Sequence, residues 1–486
     1  MTPSLAPRAS PAAAARRLSL ALAVALLPAC SVAPPYQRPE IPLPAAFKEA
    51  GATWAPAVPA DALEHGAWWE AFGDAELNRL AQQLQRSNQN IAAAVAAQAQ
   101  AQAVLRQQRA ALWPAVGLSG RSTRSGGAAA NRSSDSAKAT LELDWAPDLW
   151  GRLSSGLNQA QASAQASAAD LAGARLAALG SLAAAYFQLR AADAEIDLLD
   201  ATVAGYARSL HIVQNRYAAG IAAQTDVLQA QTQHANARAD LAALHQQRAQ
   251  LEHAVAVLTG QAPAAFALPR ARWIVQLPEI PPGLPSTLLQ RRPDIAAAER
   301  AVAAANAQIG VQHAAYFPSL SLNASLGGSG SGVAELLRAP GTLWSLGLTL
   351  AQALFDAGAN AARQEQAQAA HGARVAVYRQ TVLTAFQSVE DQLTRLHTLQ
   401  EQEPLRREAT AAAERSAQQM LNRYHSGQLG YTEVVTAQAT ALSAQRALLQ
   451  LQLERQLAVV ALIQALGGGW QLPWQEPPAA ADARGG

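Results

Sequence analysis

The side chains able to do chemistry are few and widely spaced in this chain. His234, His245 and His253 lie on one predicted helix, but spacings of 11 and 8 residues do not stack two metal ligands one turn apart, so solvated histidines are expected. The run Gly327–Gly332 lacks the lysine and helix that follow a phosphate-binding loop, which favours a flexible turn. No His-Glu-x-x-His motif or cysteine–histidine pair for nucleophilic catalysis occurs. The sequence therefore predicts no enzyme, no metal site and no cofactor.

Cys30 is the only cysteine, which excludes internal disulfides. It follows a basic region and an apolar run over residues 18–27, the order typical of an export signal. That run covers only about half of a bilayer core, so a permanent spanning helix is not expected. Leu27-Pro28-Ala29-Cys30 resembles the lipobox of bacterial lipoproteins, although Pro28 departs from that pattern. We expect residues 1–29 to be a signal peptide and Cys30 to be acylated; an ordinary signal peptide with an incidental cysteine is the alternative.

The charge balance excludes another class of partner. The 486 residues carry 37 basic and 35 acidic groups. Removal of the predicted leader, which holds Arg8, Arg16 and Arg17, leaves 34 basic and 35 acidic groups. Nucleic acids and polybasic membrane sites both require a concentrated positive patch. We therefore expect no nucleic-acid partner.

The sequence contains an internal repeat. Asn215-Arg216-Tyr217 recurs 207 residues later as Asn422-Arg423-Tyr424, and Gly220 recurs as Gly427. Trp113-Pro114 corresponds to Phe317-Pro318, and Leu149-Trp150 to Leu354-Phe355. The halves are therefore predicted to be two copies of one structural unit. The predicted divisions are an N-terminal segment at 30–74, repeat 1 at 75–260, a proline-rich connector at 261–285, repeat 2 at 286–467 and a loose tail at 468–486.

Each copy contains a segment in which apolar and polar residues alternate. This period of two predicts strands with one apolar and one polar face. Tips rich in Gly and Ser, at 125–136 and 327–332, predict β-hairpins at 114–150 and 318–355. The alternating apolar residues are expected to face lipid. They are Leu141, Leu143 and Trp145 in copy one, and Trp344, Leu346 and Leu348 in copy two.

Helices are predicted for most of the remaining sequence. The seven-residue spacing of Leu189, Ile196, Val203, Leu210 and Tyr217 is typical of coiled-coil seams. Each long helix would extend about 100 Å at 1.5 Å per residue. Gly220 and Gly427 are expected at the turns that follow, because glycine adopts the left-handed conformation that ends a helix. The predicted helices are 75–112, 151–216 and 222–259 in repeat 1, and 292–316, 357–423 and 430–466 in repeat 2.

These patterns together predict an oligomer. Four amphipathic strands cannot close a barrel, and an open sheet edge is not tolerated in lipid because its backbone groups would be unpaired. Three chains would supply twelve strands, an even number wide enough to leave a lumen, with twelve helical staves beneath.

Several motifs match a known family in order along the chain. Arg291-Arg292-Pro293-Asp294-Ile295, Glu299 and Tyr316-Phe317-Pro318 resemble the signature of the TolC-like outer-membrane factors, most closely their NodT/OprM lipoprotein branch. Trp68-Trp69, Phe72-Gly73-Asp74, Tyr36-Gln37-Arg38-Pro39 and the segment 148–152 also match. The resemblance implies a mainly α fold with membrane β, a homotrimeric channel-tunnel with a 12-stranded outer-membrane barrel. It also implies partners: outer-membrane lipid, a periplasmic adaptor protein and an inner-membrane pump of the RND type.

The resemblance also implies a gate at the two helix turns, which form the periplasmic entrance in that family. Tyr424 and Glu433 fall on its gate tyrosine and first gate aspartate, and Thr225 and Asp226 on their partners. Thr436 replaces a second gate aspartate, and Leu429 a tethering arginine. We expect the Tyr424 hydroxyl to donate to Asp226. The alternative is that Asp226 and Glu433 only stabilise the positive end of a helix dipole.

The same family uses grooves beside the turns to receive adaptor hairpin tips, which makes Gly220 and Gly427 candidate docking turns as well as plain turn glycines. The main interpretation is a passive exit duct for small molecules in a tripartite efflux pump, lipid-anchored in the outer membrane. One alternative is a protein-secretion duct of an ATP-driven exporter. A trimeric coiled-coil surface protein is more remote, because such stalks usually lack a twofold internal repeat. The substrate cannot be deduced, since the pump selects the cargo.

Overall fold

The computed structural model describes residues 34–42, 44, 47–50, 67–127, 130–278, 291–331 and 342–468. The predicted signal peptide at 1–29, Cys30 and the tail at 469–486 lie outside them. The described chain is mainly helical with one four-stranded sheet, as predicted. Its elements are α1 (Ala75–Ser87), α2 (Gln89–Ala110), β1 (Ala115–Gly127), β2 (Ala130–Trp145), α3 (Arg152–Ala218), α4 (Gln224–Leu258), α5 (Pro293–His313), β3 (Ser319–Gly330), β4 (Thr342–Ala351), α6 (Ala359–His425) and α7 (Tyr431–Ala465).

Contacts divide the chain into two units. The first comprises Met1–Glu40, Ala97–Ala168 and Ala297–Arg379 and contains the sheet. The second comprises Ile41–Ala96, Ala169–Ala296 and Gln380–Gly486 and contains the main hydrophobic core.

The sheet is fully antiparallel, in the order β1-β2-β3-β4. Its register aligns the apolar residues into rows on one face. One row contains Leu118, Leu141, Leu326 and Trp344, and the next contains Val116, Leu143, Ala324 and Leu346. The other face is polar: Asn323 donates to Asp144 at 2.7 Å, and the hydroxyls of Ser325 and Ser345 lie 2.7 Å apart. β1 and β4 are the edge strands.

The predicted flexible tips are wrong in extent. Residues 125–127 and 130–136 belong to strands, and Gly327–Gly330 pair with 137–140 of β2. A Cβ placed on Gly327 would lie 2.2 Å from the Ala139 carbonyl oxygen. The glycine therefore permits close contact between β2 and β3 rather than a turn.

The single helix predicted at 75–112 is also wrong, because Asn88 separates α1 from α2. The Asn88 side chain donates to the Leu258 carbonyl at 2.8 Å and accepts from the Ile91 N–H at 3.0 Å. It therefore caps α2 and bonds to the end of α4 at once. A tertiary contact thus stabilises the break.

The long helices match the sequence pattern closely. α3 and α6 have 67 residues each, and α4 and α7 have 35 each. Leu189, Ile196, Leu199 and Val213 of α3 are all fully buried. By length and composition α3 alone among the described helices passes for a membrane span. Its apolar residues Leu179, Leu182 and Leu189 nevertheless belong to the main core, which identifies it as a core helix.

The quoted motifs have structural roles in this fold. Asp74 caps α1 by accepting from the N–H groups of Glu76 and Leu77, and its second oxygen accepts from the Tyr186 hydroxyl at 2.7 Å. Trp68 is fully buried beside it. In the first unit the Tyr36 hydroxyl donates to Glu299 at 2.5 Å, which fastens the N-terminal segment to α5.

Candidate functional site

The two helix turns, 219–223 and 426–430, have the same backbone geometry. Gly220 and Gly427 have φ values of +75° and +74°. The N–H of Ile221 donates to the Arg216 carbonyl at 2.8 Å, and that of Gln428 to Arg423 at 3.0 Å. This pattern is the Schellman motif. A Cβ on either glycine would meet no atom of this chain within 4 Å, so steric crowding does not require glycine at these positions. The left-handed backbone conformation is what favours it.

Tyr424 joins the two turns through its ring and its backbone. The side chain is 4% exposed and packs edge-on against Tyr431, with ring centroids 5.3 Å apart. The Arg216 guanidinium lies 4.7 Å from the centre of the Tyr424 ring, and its Nη1 donates to the Tyr424 carbonyl at 3.1 Å. One arginine from the first turn therefore holds the helix end of the second.

The predicted bond from the Tyr424 hydroxyl to Asp226 is not formed in the described chain. This hydroxyl is buried and has no hydrogen-bond partner among the described residues. Its pKa is raised, chiefly by burial; the positive charge of Arg216 opposes this rise, and the negative charge of Asp226 adds a smaller increase. The ring is held by Arg216 and Tyr431, which places the hydroxyl out of bonding reach of the carboxylate.

A small apolar core lies beneath the turns. It is formed by the buried residues Val213, Ala230, Tyr424, Tyr431 and Val434. Leu429, at the position where the resemblance expects a tethering arginine, packs against this core. The side chain at this position therefore adds apolar contact to the core instead of a charge.

The acidic candidates occupy equivalent positions. Asp226 lies in the first turn of α4 and is half-buried, and Glu433 lies in the first turn of α7 and is exposed. No side chain caps either helix, so each carboxylate is the anionic group at a positive helix end. The dipole role and a role in a gate are compatible, because both place the carboxylate at the turn.

Of the two remaining candidates, Thr436 lines clefts between helices. Thr225 is exposed on α4, and Thr436 lies on α7, where its hydroxyl donates to the Thr432 carbonyl at 3.0 Å. Thr436 lines a cleft of about 800 Å³ between α4 and α7 and a second one of about 390 Å³ that Glu433 also lines. At the far end of the larger cleft, Arg446 pairs with Glu195 at 2.6 Å and Asp240 at 3.6 Å.

Sequence reasoning missed Arg216, Tyr431 and Arg446. Arg216 was visible in the repeated Asn-Arg-Tyr motif, but its role depends on a ring more than 200 residues away. Tyr431 could have been identified from the repeat, because the equivalent position in copy one is Gln224 and the two turns therefore differ there. That difference agrees with the unequal burial of the paired tyrosines, Tyr424 at 4% and Tyr217 at 47% exposure.

Within the described ranges, no three His, Cys, Asp or Glu side chains are placed to hold a metal ion. The six predicted lipid-facing residues share one face of the sheet, as the register requires. Leu141, Trp344, Leu346 and Leu348 are exposed, whereas Leu143 and Trp145 are half-buried. The indole of Trp145 donates to the Leu112 carbonyl at 3.1 Å, which ties β2 to the end of the preceding helical segment.

Comparison with known proteins gives consistent matches over almost the whole chain. The family model described as outer membrane efflux protein matches residues 80–261 and 284–468. The toluene efflux pump outer membrane protein TtgC of Pseudomonas putida is 34% identical, over 93% of this chain and 95% of its own. The cation efflux system protein CusC of Escherichia coli is 29% identical, over 92% and 97%. The solved structure of the outer-membrane channel OprN superposes with a TM-score of 0.83 at 28% identity, covering 91% of this chain and 100% of that one.

Proposed function

Because this chain belongs to the outer membrane efflux protein family, we propose that three copies of it assemble into one passive exit duct through the outer membrane. The protein is an outer-membrane component of an efflux system, in a family of efflux channels rather than of enzymes. The finer proposal is that each copy supplies four strands to a 12-stranded barrel and four helical staves to a tunnel below it.

The sheet carries this proposal. It has one apolar face of the kind that contacts lipid, and its two outer strands have unpaired edges. Lipid does not tolerate such edges, so further strands must cover them. Three copies close the sheet with an even number of antiparallel strands, as in bacterial outer-membrane barrels. Two observations support an internal repeat: α3 and α6 have equal lengths, and the family model matches the chain in two parts. The trimer would then contain six similar units.

The proposed cargo is small molecules, and the proposed partners are a periplasmic adaptor and an inner-membrane pump of the RND type. Relatives with comparable identity are named for cargoes as different as toluene and cations. Such variety is expected if the duct is wide and the pump selects the cargo. The turns at Gly220 and Gly427 are the proposed adaptor-docking sites. A Cβ built on either glycine would have no neighbouring atom within 4 Å, so there is space for a partner beside each turn.

The proposed aperture is at the same turns. Threefold symmetry would bring three copies of the exposed Glu433 around the axis, with Asp226, Thr225, Thr436 and Tyr424 close by. A ring of carboxylates attracts cations and repels anions. The three charges also repel one another, so the apolar core around Tyr424 and Tyr431 must hold the turns together.

The ion selectivity of the purified full chain in planar bilayers tests the aperture. We expect Glu433→Gln to reduce the preference for cations, because it removes one charge per copy from the narrowest point. The matched control is Glu401→Gln, an exposed carboxylate in the middle of α6. Equal selectivity in Glu433→Gln and the parent would place the constriction elsewhere. Failure of the parent to form channels at all would reject the duct.

A further inference from the structure

A cleft of about 380 Å³ lies in the first unit, between α3, α5 and the N-terminal segment at 34–36. This volume is within the range of small-molecule sites, about 300–1,000 Å³. The cleft is lined mainly by polar side chains. They are Ser155, Asn158, Gln161 and Gln165 of α3, and Arg300 and Asn306 of α5.

Three of these polar side chains have no hydrogen-bond partner in the described chain. Ser155 is only 2% exposed, and its hydroxyl is bonded to no other described residue. The amides of Asn158 and Gln161, further along the same face of α3, are also unbonded there. A buried hydroxyl without a partner costs free energy, so a polar ligand that bonds to it is favoured.

The described residues of the cleft carry no uncompensated charge. The Arg300 Nε donates to Glu299 at 2.8 Å, and its Nη1 donates to Gln165 at 3.2 Å. The other polar groups are amides and a hydroxyl, which offer both donors and acceptors. A simple anion would meet no unpaired cation among these residues. A ligand that carries both a phosphate and an ammonium group would find partners for each.

The depth of the cleft follows from the end of the sheet. Aromatic residues mark the bilayer surface in outer-membrane barrels, and Trp113 and Trp145 adjoin the same end of the sheet here. α3 begins at Arg152, so Ser155 and Asn158 lie about 5 and 9 Å along its axis. The headgroup layer on each side of a bilayer is about 5–8 Å thick. The end of the cleft nearest the sheet is therefore at headgroup depth.

The N-terminal segment indicates that the cleft faces lipid rather than the lumen. Asn306 donates to the Pro34 carbonyl at 3.0 Å, and this segment forms one wall of the cleft. Pro34 follows Cys30 by four residues, a reach of at most about 14 Å. An acyl group on Cys30 in the periplasmic leaflet would hold this wall beside that leaflet.

We propose that the cleft binds the headgroup of a zwitterionic phospholipid of the periplasmic leaflet, one per chain. The phosphate accepts from the Ser155 hydroxyl and from side-chain N–H groups of Asn158 and Gln161, and the ammonium donates to their carbonyl oxygens. The inference rests on the proposed outer-membrane assembly and adds to it a lipid with a defined headgroup.

Native mass spectrometry of the full chain, purified in detergent and freed of lipid, tests the site. We expect the parent to retain one phosphatidylethanolamine per chain, and to bind phosphatidylglycerol, which lacks the ammonium group, more weakly. The double variant Asn158→Ala, Gln161→Ala should weaken phosphatidylethanolamine binding about tenfold, because each change removes a hydrogen-bonding amide. Gln159→Ala is the matched control, since this neighbour on α3 does not line the cleft. It should bind like the parent.

Three outcomes contradict the inference. Equal binding of the two lipids would show that the ammonium group is not recognised. Equal binding by the double variant and the parent would place the lipid elsewhere. Equal binding of free phosphoethanolamine, which has no acyl chains, would assign the cleft to a soluble ligand.

Channel formation by the same preparation separates this inference from the proposed function. Parent trimers that conduct in planar bilayers but retain no phosphatidylethanolamine overturn the headgroup site only. A parent that neither forms trimers nor conducts overturns the proposed duct and the site with it. The mass of the particle in the same spectrum shows whether each variant still assembles.

Discussion

Tyr424 contributes its ring and its carbonyl, rather than its hydroxyl, to the contact between the two helix turns. Its hydroxyl is buried without a partner among the described residues, while Arg216 contacts both the ring and the carbonyl. A cation over an aromatic ring stabilises by about 0.5–2 kcal/mol, and a charged donor to a carbonyl adds a similar amount. Arg216 therefore connects the two turns through polar contacts, in addition to the apolar core that they share.

Arg216→Ala is expected to weaken the turns by about 1–3 kcal/mol, because it removes both contacts at a half-exposed site. Tyr424→Phe keeps the ring and removes only a hydroxyl that is unpaired within the described chain, so it should cost less. Native-state hydrogen exchange of the amides at 213–222 and 420–431 measures the difference. Equal loss of protection in both variants would show that the hydroxyl gains a partner in the assembled protein.

Tyr431 is expected to make the turns sensitive to alkali. Burial raises its pKa from the ordinary 10.0 to about 12, with further contributions from Tyr424, Tyr206 and Asp226. The pKa is higher in the folded state, so deprotonation favours the unfolded state. Stability is therefore full below pH 10 and falls as the pH rises from 10 to 12.

Local unfolding followed against pH tests this linkage. Tyr431→Phe should reduce the alkaline loss between about pH 10 and 12, whereas Tyr217→Phe, at an exposed position, should leave it in place. An unchanged alkaline profile in Tyr431→Phe would assign the loss to another group.

At the scale of elements, the sheet separates an apolar from a polar face. Leu346 pairs with Ala324 in an apolar row and is 67% exposed, while its neighbour Ser345 bonds to Ser325 on the opposite face. Strand alternation alone places these adjacent residues on different sides. If the apolar face contacts lipid, the two positions must respond differently to charge.

Leu346→Arg should destabilise the membrane form by about 2–4 kcal/mol per chain, the cost of arginine near the middle of the bilayer. Threefold symmetry would repeat this cost, so the yield of trimers in the outer membrane should fall sharply. Ser345→Arg is the matched control and should assemble normally. Normal assembly of Leu346→Arg would reject the assignment of faces.

At the scale of the whole molecule, two attachments to the membrane are proposed: the sheet and an acyl group on Cys30. The chain beginning four residues after Cys30 is fastened along the first unit. Asn306 donates to the Pro34 carbonyl at 3.0 Å, Tyr36 to Glu299 at 2.5 Å and Arg38 to the Tyr378 hydroxyl at 3.2 Å. An acyl group on Cys30 would therefore be only four residues from the part of the chain that is bonded to the first unit.

Cys30→Ala is expected to remove the acyl group while trimers still form, because the apolar face of the sheet binds lipid independently. Mass spectrometry of the mature amino terminus measures the modification, and gel migration measures assembly. An unmodified Cys30 in the parent, or cleavage at another position, would contradict lipidation.

Local pattern alone was enough to predict much of this protein. Alternation along β2 and β4 predicted the strands, and the seven-residue spacing along α3 predicted the coiled-coil seams. The glycines after α3 and α6 predicted the turns. Each of these features depends on the intrinsic geometry of a strand, a helix or a left-handed residue. Family membership was predictable too, because its motifs are contiguous. Each of these signals is contained within a few turns or strand residues.

Tertiary structure decided the rest, because it depends on residues far apart in the chain. The break at Asn88 needs the Leu258 carbonyl, and the extended strand at Gly327 needs the close backbone of Ala139. The position of Tyr424 is set by Arg216 and Tyr431, which hold its ring and leave Asp226 to act through its charge. Burial and partner choice at these sites follow from how separate segments pack, and no local spacing encodes that packing.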